Sequence, residues 1–227
     1  MKLSRKSRVL STFLFTALLF VSVSSLAEEP ENLYLTKQAA IFYHDSGEYD
    51  YDISDVVQQA QAYLEKRIAE NNKLKNKRKL AVVFDIDETS LSNYKHLIAL
   101  DFGIIPELYK DTILKAVDPA IPATLKLYNY ANAHGVAVFF ITGRSEDLRD
   151  ATVKNLITAG CKDWIEIYLK PNDYHEKSII PFKTLTREKI QKKGYDIVVN
   201  IGDQYSDLSG GNAERTFKLP NPYYYIP

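Results

Sequence analysis

The sequence predicts an α/β fold, a parallel sheet with helices on both faces, and two observations predict it. Short, mainly apolar runs rich in β-formers recur at residues 80–84, 136–141, 165–169 and 197–201, the third holding Glu166 and the fourth Asn200. Apolar runs of that length suit strands buried on both faces. Between them lie helical patterns at 122–134, 146–159 and 184–193, followed by Gly135, Gly160 and Gly194. Glycine just past a helical pattern is a stop signal. Strands alternating with helices give right-handed β-α-β units and hence a parallel sheet.

In chain order, residues 1–8 carry Lys2, Arg5, Lys6 and Arg8 and no acid. An apolar run, 9–23, then leads to Ser25-Leu26-Ala27. A basic start, a short apolar stretch and small residues at a cleavage site describe a secretory signal peptide over residues 1–27, with an uncleaved anchor as its rival. Residues 28–227 are then one mature domain. A short helix is expected near 37–43. A longer one starts at a Ser54 cap, with Val57, Ala60, Leu64 and Ile68 at helical spacing. The basic run Lys73, Lys75, Lys77, Arg78 and Lys79 reads as a solvated helix end. Residues 91–121, holding Pro106 and Pro119, interrupt the alternation between the first strand and its helix. They read as a small helical insertion, a cap over the strand's end. The tail Tyr223-Tyr224-Tyr225 should pack on the domain or on a subunit partner, since three exposed tyrosines would form a conspicuous patch.

Composition narrows the class. Of 227 residues, 45% are hydrophobic and 26% charged, which excludes disorder, collagen and coiled coil. Cations and acids balance at 29 each, and loss of the leader's four cations leaves a net charge of −4. No basic field points to a nucleic-acid polymer. Cys161 is the only cysteine, so stability rests on a core rather than on disulfides, and Cys161 reads as a buried small hydrophobe. The four histidines show no metal-ligand spacing, which argues against zinc.

Ligands of open parallel sheets bind beyond the carboxyl ends of the strands, so the polar residues ending each apolar run matter most. The first run leads into Asp85-Ile86-Asp87-Glu88-Thr89, the second into Thr142-Gly143-Arg144, and the fourth into Gly202-Asp203 with Asp207 beyond. Lys183, just before a helix, can reach the same rim. Several acids with one lysine and one hydroxyl suit a hard cation and a phosphoryl group. Mg²⁺ takes carboxylate, carbonyl and water oxygens, and the cation with Lys183 would offset the repulsion between the acids and a phosphate.

With those residues in view, the sequence resembles the haloacid dehalogenase (HAD) superfamily of phosphohydrolases, and within it the acid phosphatases of bacterial class B and plant vegetative-storage type, subfamily IIIB. Four motifs carry the resemblance: Asp85-Ile86-Asp87-Glu88-Thr89, Ile141-Thr142-Gly143-Arg144-Ser145, Pro181-Phe182-Lys183-Thr184, and Gly202-Asp203-Gln204-Tyr205-Ser206-Asp207. The resemblance implies a Rossmann-like HAD sheet and Mg²⁺-dependent hydrolysis of phosphomonoesters. It makes Asp85 the nucleophile that forms an aspartyl-phosphate and Asp87 the general acid and base, with a pKa raised by nearby carboxylates. It assigns Mg²⁺ to the Asp85 carboxylate, the Asp87 backbone carbonyl and the Asp203 carboxylate, with Asp207 behind them. Thr142, Gly143, Arg144 and Lys183 would bind phosphate or substrate.

Other readings stay open. Thr142 can cap a helix, Arg144 can pair with Asp147 or Asp207, and Lys189 competes with Lys183. His96, Tyr94 and Phe102 either line the pocket or belong to surface and core. The same residues would serve a phosphotransferase or a 5′-nucleotidase, and a non-catalytic storage protein could keep the scaffold. The expected partner is a small phosphomonoester, nucleotides included, without nucleic-acid polymer and without membrane once the leader is cleaved, in a monomer or homo-oligomer. The expected location is periplasmic or secreted.

Overall fold

The computed structural model describes residues 29–103 and 105–227, so the expected leader lies outside the described residues. Two helices come first, α1 (Leu33–Asp45) and α2 (Glu48–Asn72). After β1 (Lys79–Phe84) the insertion folds as α3 (Tyr94–Ala99) and α4 (Pro106–Lys115). The alternation resumes with α5 (Pro122–Ala133), β2 (Ala137–Ser145), a 3-10 turn (Glu146–Leu148), α6 (Arg149–Thr158), β3 (Glu166–Lys170), α7 (Ile180–Lys192) and β4 (Tyr195–Gly202). A four-residue α8 (Tyr205–Leu208) and β5 (Arg215–Lys218) complete it.

All strand pairs are parallel, in the order β3-β2-β1-β4-β5. Alternate β1 residues feed opposite faces. Val82 and Phe84, with Val138, Phe140 and Ile201, pack under Ile53, Val57 and Leu64 of α2 and Leu127 of α5. Ala81 and Val83, with Phe139, Ile141 and Ile197, pack against Ile190 of α7. Each large side chain so buried contributes roughly 1.5–3 kcal/mol.

The order reverses at β1: the chain steps outward to β2 and β3, then returns to the other side of β1 as β4. A crevice opens at such a switch point. Register levels the strand ends around it, because Phe84 pairs with Phe140 on one side and Ile201 on the other. The residues that follow, Asp85, Thr142 and Asp203, are thereby brought to one edge.

Three elements differ from expectation. The helix expected from Ser54 starts six residues earlier, because Tyr49 and Ile53 extend its apolar stripe; its N-cap is Gly47 and Ser54 lies inside. The third repeat helix begins at Ile180 with a proline in its first turn, where the fixed φ of proline suits a helix start. That puts Lys183 in the helix rather than before it. β5 was not foreseen, since only Phe217 of its four residues is buried.

Candidate active site

The loop after β1 is held by its own backbone. The amides of Ser90 and Leu91 donate to Ile86 O at 2.8 Å, and Asp85 N donates to Ile201 O of β4 at 3.0 Å. Asp85 thereby sits between β1 and β4, nearly buried. Lys183, also nearly buried, donates from Nζ to Asp85 Oδ1 at 2.6 Å and to Asp207 Oδ1. Lys189 lies elsewhere, over the Tyr168 ring. Of the two lysines, the structure brings Lys183 to the acids.

Asp85, Asp203 and Asp207 each offer a carboxylate oxygen within 4.8 Å of the others, all three buried. Asp203 is braced on every side: Thr89 Oγ1 donates to Oδ1 at 3.0 Å, and Gln204 Nε2 and Asn221 Nδ2 donate to Oδ2 at 2.7 Å each. Asp207 folds back so that Oδ2 accepts Gln204 N at 2.8 Å. That fold needs a glycine beneath it, since a Cβ on Gly202 would collide with the Asp207 carboxylate. Both Asp207 oxygens are thus engaged, which suits a bracing group.

The electrostatics of the trio are unfavourable as it stands. Burial and then the Asp207 charge push the Asp85 carboxyl well above its ordinary range, against the pull of Lys183. The same two causes push Asp203 to about 6. Among the described residues, three acids face one ammonium, that of Lys183 on Asp85 and Asp207, which leaves a buried excess of negative charge. A divalent cation among hard oxygen donors would neutralise that excess, so these residues fit one.

Asp87 faces a different environment. Arg144, its side chain 1% exposed, donates from Nη2 to Asp87 Oδ1 at 2.7 Å and from Nε to both oxygens at 3.1 Å. Asn93 Nδ2 at 2.8 Å and Tyr109 OH at 3.2 Å also donate to Oδ1. Burial pushes Asp87 up, but the Arg144 charge and these hydrogen bonds outweigh it and hold the carboxyl below its ordinary value. The expected rise from neighbouring carboxylates is therefore reversed. Arg144 pairs with neither Asp147 nor Asp207; behind it, Nη2 lies 3.8 Å from Asp118, whose Oδ1 meets His96 Nε2 at 2.8 Å. His96 is half-buried in that chain rather than a surface residue.

A cavity of about 530 Å³ opens over the acids, lined by Asp85, Asp87, Gly143, Arg144, Lys183 and Asp203. Leu97, Tyr109 and Ile113 of the insertion form one side, and Tyr224 and Ile226 of the tail another. Thr142 is fully buried, its Oγ1 accepting the Arg144 amide at 3.0 Å. Two larger grooves, along the β3 edge and near the amino ends of the strands, contain none of the motif acids. Tyr94 and Phe102 pack on Tyr223, with ring centres 5.5 and 5.8 Å away, so they belong to an aromatic core and not to the cavity. Sequence reasoning missed Glu88, Asn93, Tyr109, Gln204, Asn221 and Tyr224. Glu88 and Asn93 flank the first motif and Gln204 lies inside the fourth, so proximity was a usable signal; nothing local marks Tyr109 or Asn221.

The chain is 41% identical to acid phosphatase 1 of Solanum lycopersicum over 150 residues, covering 63% of this chain and 58% of that protein. It is 35% identical to vegetative storage protein 1 of Arabidopsis thaliana over 186 residues, covering 80% of this chain and 67% of that one. The match thus spans less than two thirds of the tomato protein. Among solved structures, the class C acid phosphatase from Bacillus anthracis superposes with a TM-score of 0.66 at 25% identity, over 84% of this chain and 86% of that one. Residues 8–227 match the family described as HAD superfamily, subfamily IIIB (acid phosphatase), and the chain belongs to that family.

Proposed function

We propose that this chain is an exported, Mg²⁺-dependent acid phosphatase that hydrolyses small phosphomonoesters through an aspartyl-phosphate. The observation that carries the reading is the buried cluster of Asp85, Asp203 and Asp207 on Lys183, with Asp87 across the same cavity. Asp85 Oδ1 is taken by Lys183, which leaves Oδ2 as the attacking oxygen. Among the described residues, Asp87 Oδ1 accepts from Arg144, Asn93 and Tyr109, whereas Oδ2 accepts from Arg144 Nε alone. Oδ2 is therefore the oxygen through which Asp87, once protonated against the pull of Arg144, would pass a proton to the leaving alcohol and, ionised again, take one from the attacking water. Lys183 and the Gly143–Arg144 segment would hold phosphate oxygens. Asp85, Asp203 and the Asp87 carbonyl would hold the cation, which when bound supplies positive charge against the phosphate and its developing charge.

The insertion 91–121 acts as the cap, walling the leaving-group side with Leu97, Tyr109 and Ile113. Export rests on the leader at residues 1–27. No helix among the described residues is long and apolar enough to cross a membrane. The test is p-nitrophenyl phosphate hydrolysis at mildly acidic pH by the mature chain, with Mg²⁺, with EDTA, and as Asp85→Asn. Metal-dependent turnover lost in the variant is the expected result. A folded chain inert toward this and a panel of natural phosphomonoesters would move the reading to a storage protein on the same scaffold.

A further inference from the structure

The tail 221–227 is pinned over the active site at several points. Asn221 Nδ2 reaches Asp203, Ile226 N donates to Gln204 Oε1 at 3.1 Å, and Ser206 Oγ donates to Ile226 O at 3.0 Å. Between those pins, Tyr224 OH donates to Glu88 Oε2 at 2.8 Å. Glu88 is fully buried and sits at φ 50°, a left-handed conformation that costs free energy for a residue with a Cβ. No cation pairs with its carboxyl among the described residues. Burying such a group is expensive unless its hydrogen bonds are met. They are met by Tyr224 and by Asn93, which donates from its backbone N to Oε1 at 2.6 Å and from Nδ2 to Oε2 at 3.2 Å. The same Nδ2 donates to Asp87 Oδ1 at 2.8 Å.

We propose that Tyr224 is a positioning residue for the phosphomonoesterase reaction: its hydroxyl fixes Glu88, Glu88 clamps Asn93, and Asn93 holds the Asp87 carboxylate so that Oδ2 faces the leaving group. The proposal rests on the reading of Asp87 given above. It explains why an expensive buried glutamate sits beside the reacting acids without touching the cavity, and why a tyrosine-rich tail is fastened across a catalytic edge. A reacting group must be held to within a fraction of an ångström, which groups behind it accomplish.

The test is Tyr224→Phe, which removes the hydroxyl and keeps the ring as a cavity wall. Loss of a supporting hydrogen bond behind a reacting group typically costs about 10–100-fold, so kcat should fall at least about tenfold with KM within about twofold. Asn93→Ala should lower kcat as well, and the double variant should be no slower than Asn93→Ala alone, because both substitutions break one relay. In parallel, the Asn93 side-chain amide is followed by NMR in cation-free protein, where its resonances should move or broaden in Tyr224→Phe. Unchanged Asn93 resonances would overturn the relay whether or not the chain turns over phosphomonoesters. Normal kcat in Tyr224→Phe, with a raised KM only in Tyr224→Ala, would equally overturn it and leave Tyr224 as a wall. An inactive wild type with Asn93 resonances that do respond would instead sink the phosphatase reading and keep the positioning.

Discussion

Replacing Lys183 with methionine tests the charge balance on which the site is built. The variant keeps the side chain's length and most of its packing but removes the ammonium held between Asp85 and Asp207. At the 2.6 Å separation from Asp85, and with an effective dielectric of 20, that contact is worth roughly 6 kcal/mol of attraction. Among three carboxylates within 4.8 Å of one another, each pair repels by at least about 3.5 kcal/mol on the same footing. Taking Lys183 out of water offsets part of the attraction, and breaking a buried pair of this kind costs about 3–5 kcal/mol net. For a domain of this size that lowers the melting temperature by about 6–20 °C. The assay is thermal unfolding of wild type and variant in EDTA and in excess Mg²⁺, with p-nitrophenyl phosphate turnover alongside. The gap should be widest in EDTA and should narrow in Mg²⁺, because a cation bound to the native state supplies the missing charge. Turnover should be lost in both conditions. A variant melting within about 2 °C of wild type in EDTA would refute the argument that Lys183 neutralises these acids.

Two further outcomes follow from close packing and burial. Gly202→Ala should melt lower and lose at least about tenfold in kcat, since its Cβ meets the Asp207 carboxylate, whereas Gly143→Ala should melt as wild type because a Cβ there meets nothing within 4 Å; equal melting of the two would contradict the packing. Burial pushes the Cys161 thiol to about 12, so the unfolded chain loses that proton first as pH rises and the folded state alone retains it. Cys161 then lowers stability between about pH 8.5 and 12, by up to about 1.4 kcal/mol per pH unit, and Cys161→Ala should show a correspondingly shallower alkaline loss in chemical denaturation. Parallel slopes for the two proteins would place the thiol in contact with water.

How much of this was legible in advance depended on whether the cause was local. Buried strands announce themselves as short, mainly apolar runs, so β1 to β4 lie close to their expected positions, and the acids at their ends follow from the rule that such sheets bind at their carboxyl edge. Lys183 was legible from motif spacing, although its helix starts earlier than the apolar pattern suggests. β5 was not, because a short edge strand takes its stability from pairing with β4 rather than from its own composition.

The sequence by itself determined the fold class, the motif acids and the one cysteine's inert role, because periodicity and residue type are carried by neighbouring positions. Only the tertiary structure decided which charges meet. Arg144 had Asp147 and Asp207 as its candidate partners by sequence and pairs with Asp87 instead, reversing the direction of that carboxyl's pKa. Tyr109 from the insertion reaches the same acid, and Tyr224 meets Glu88 across a sequence separation of 136 residues. A hydrogen bond is decided by a few tenths of an ångström in space, and that distance is set by the packing of the whole sheet and its register.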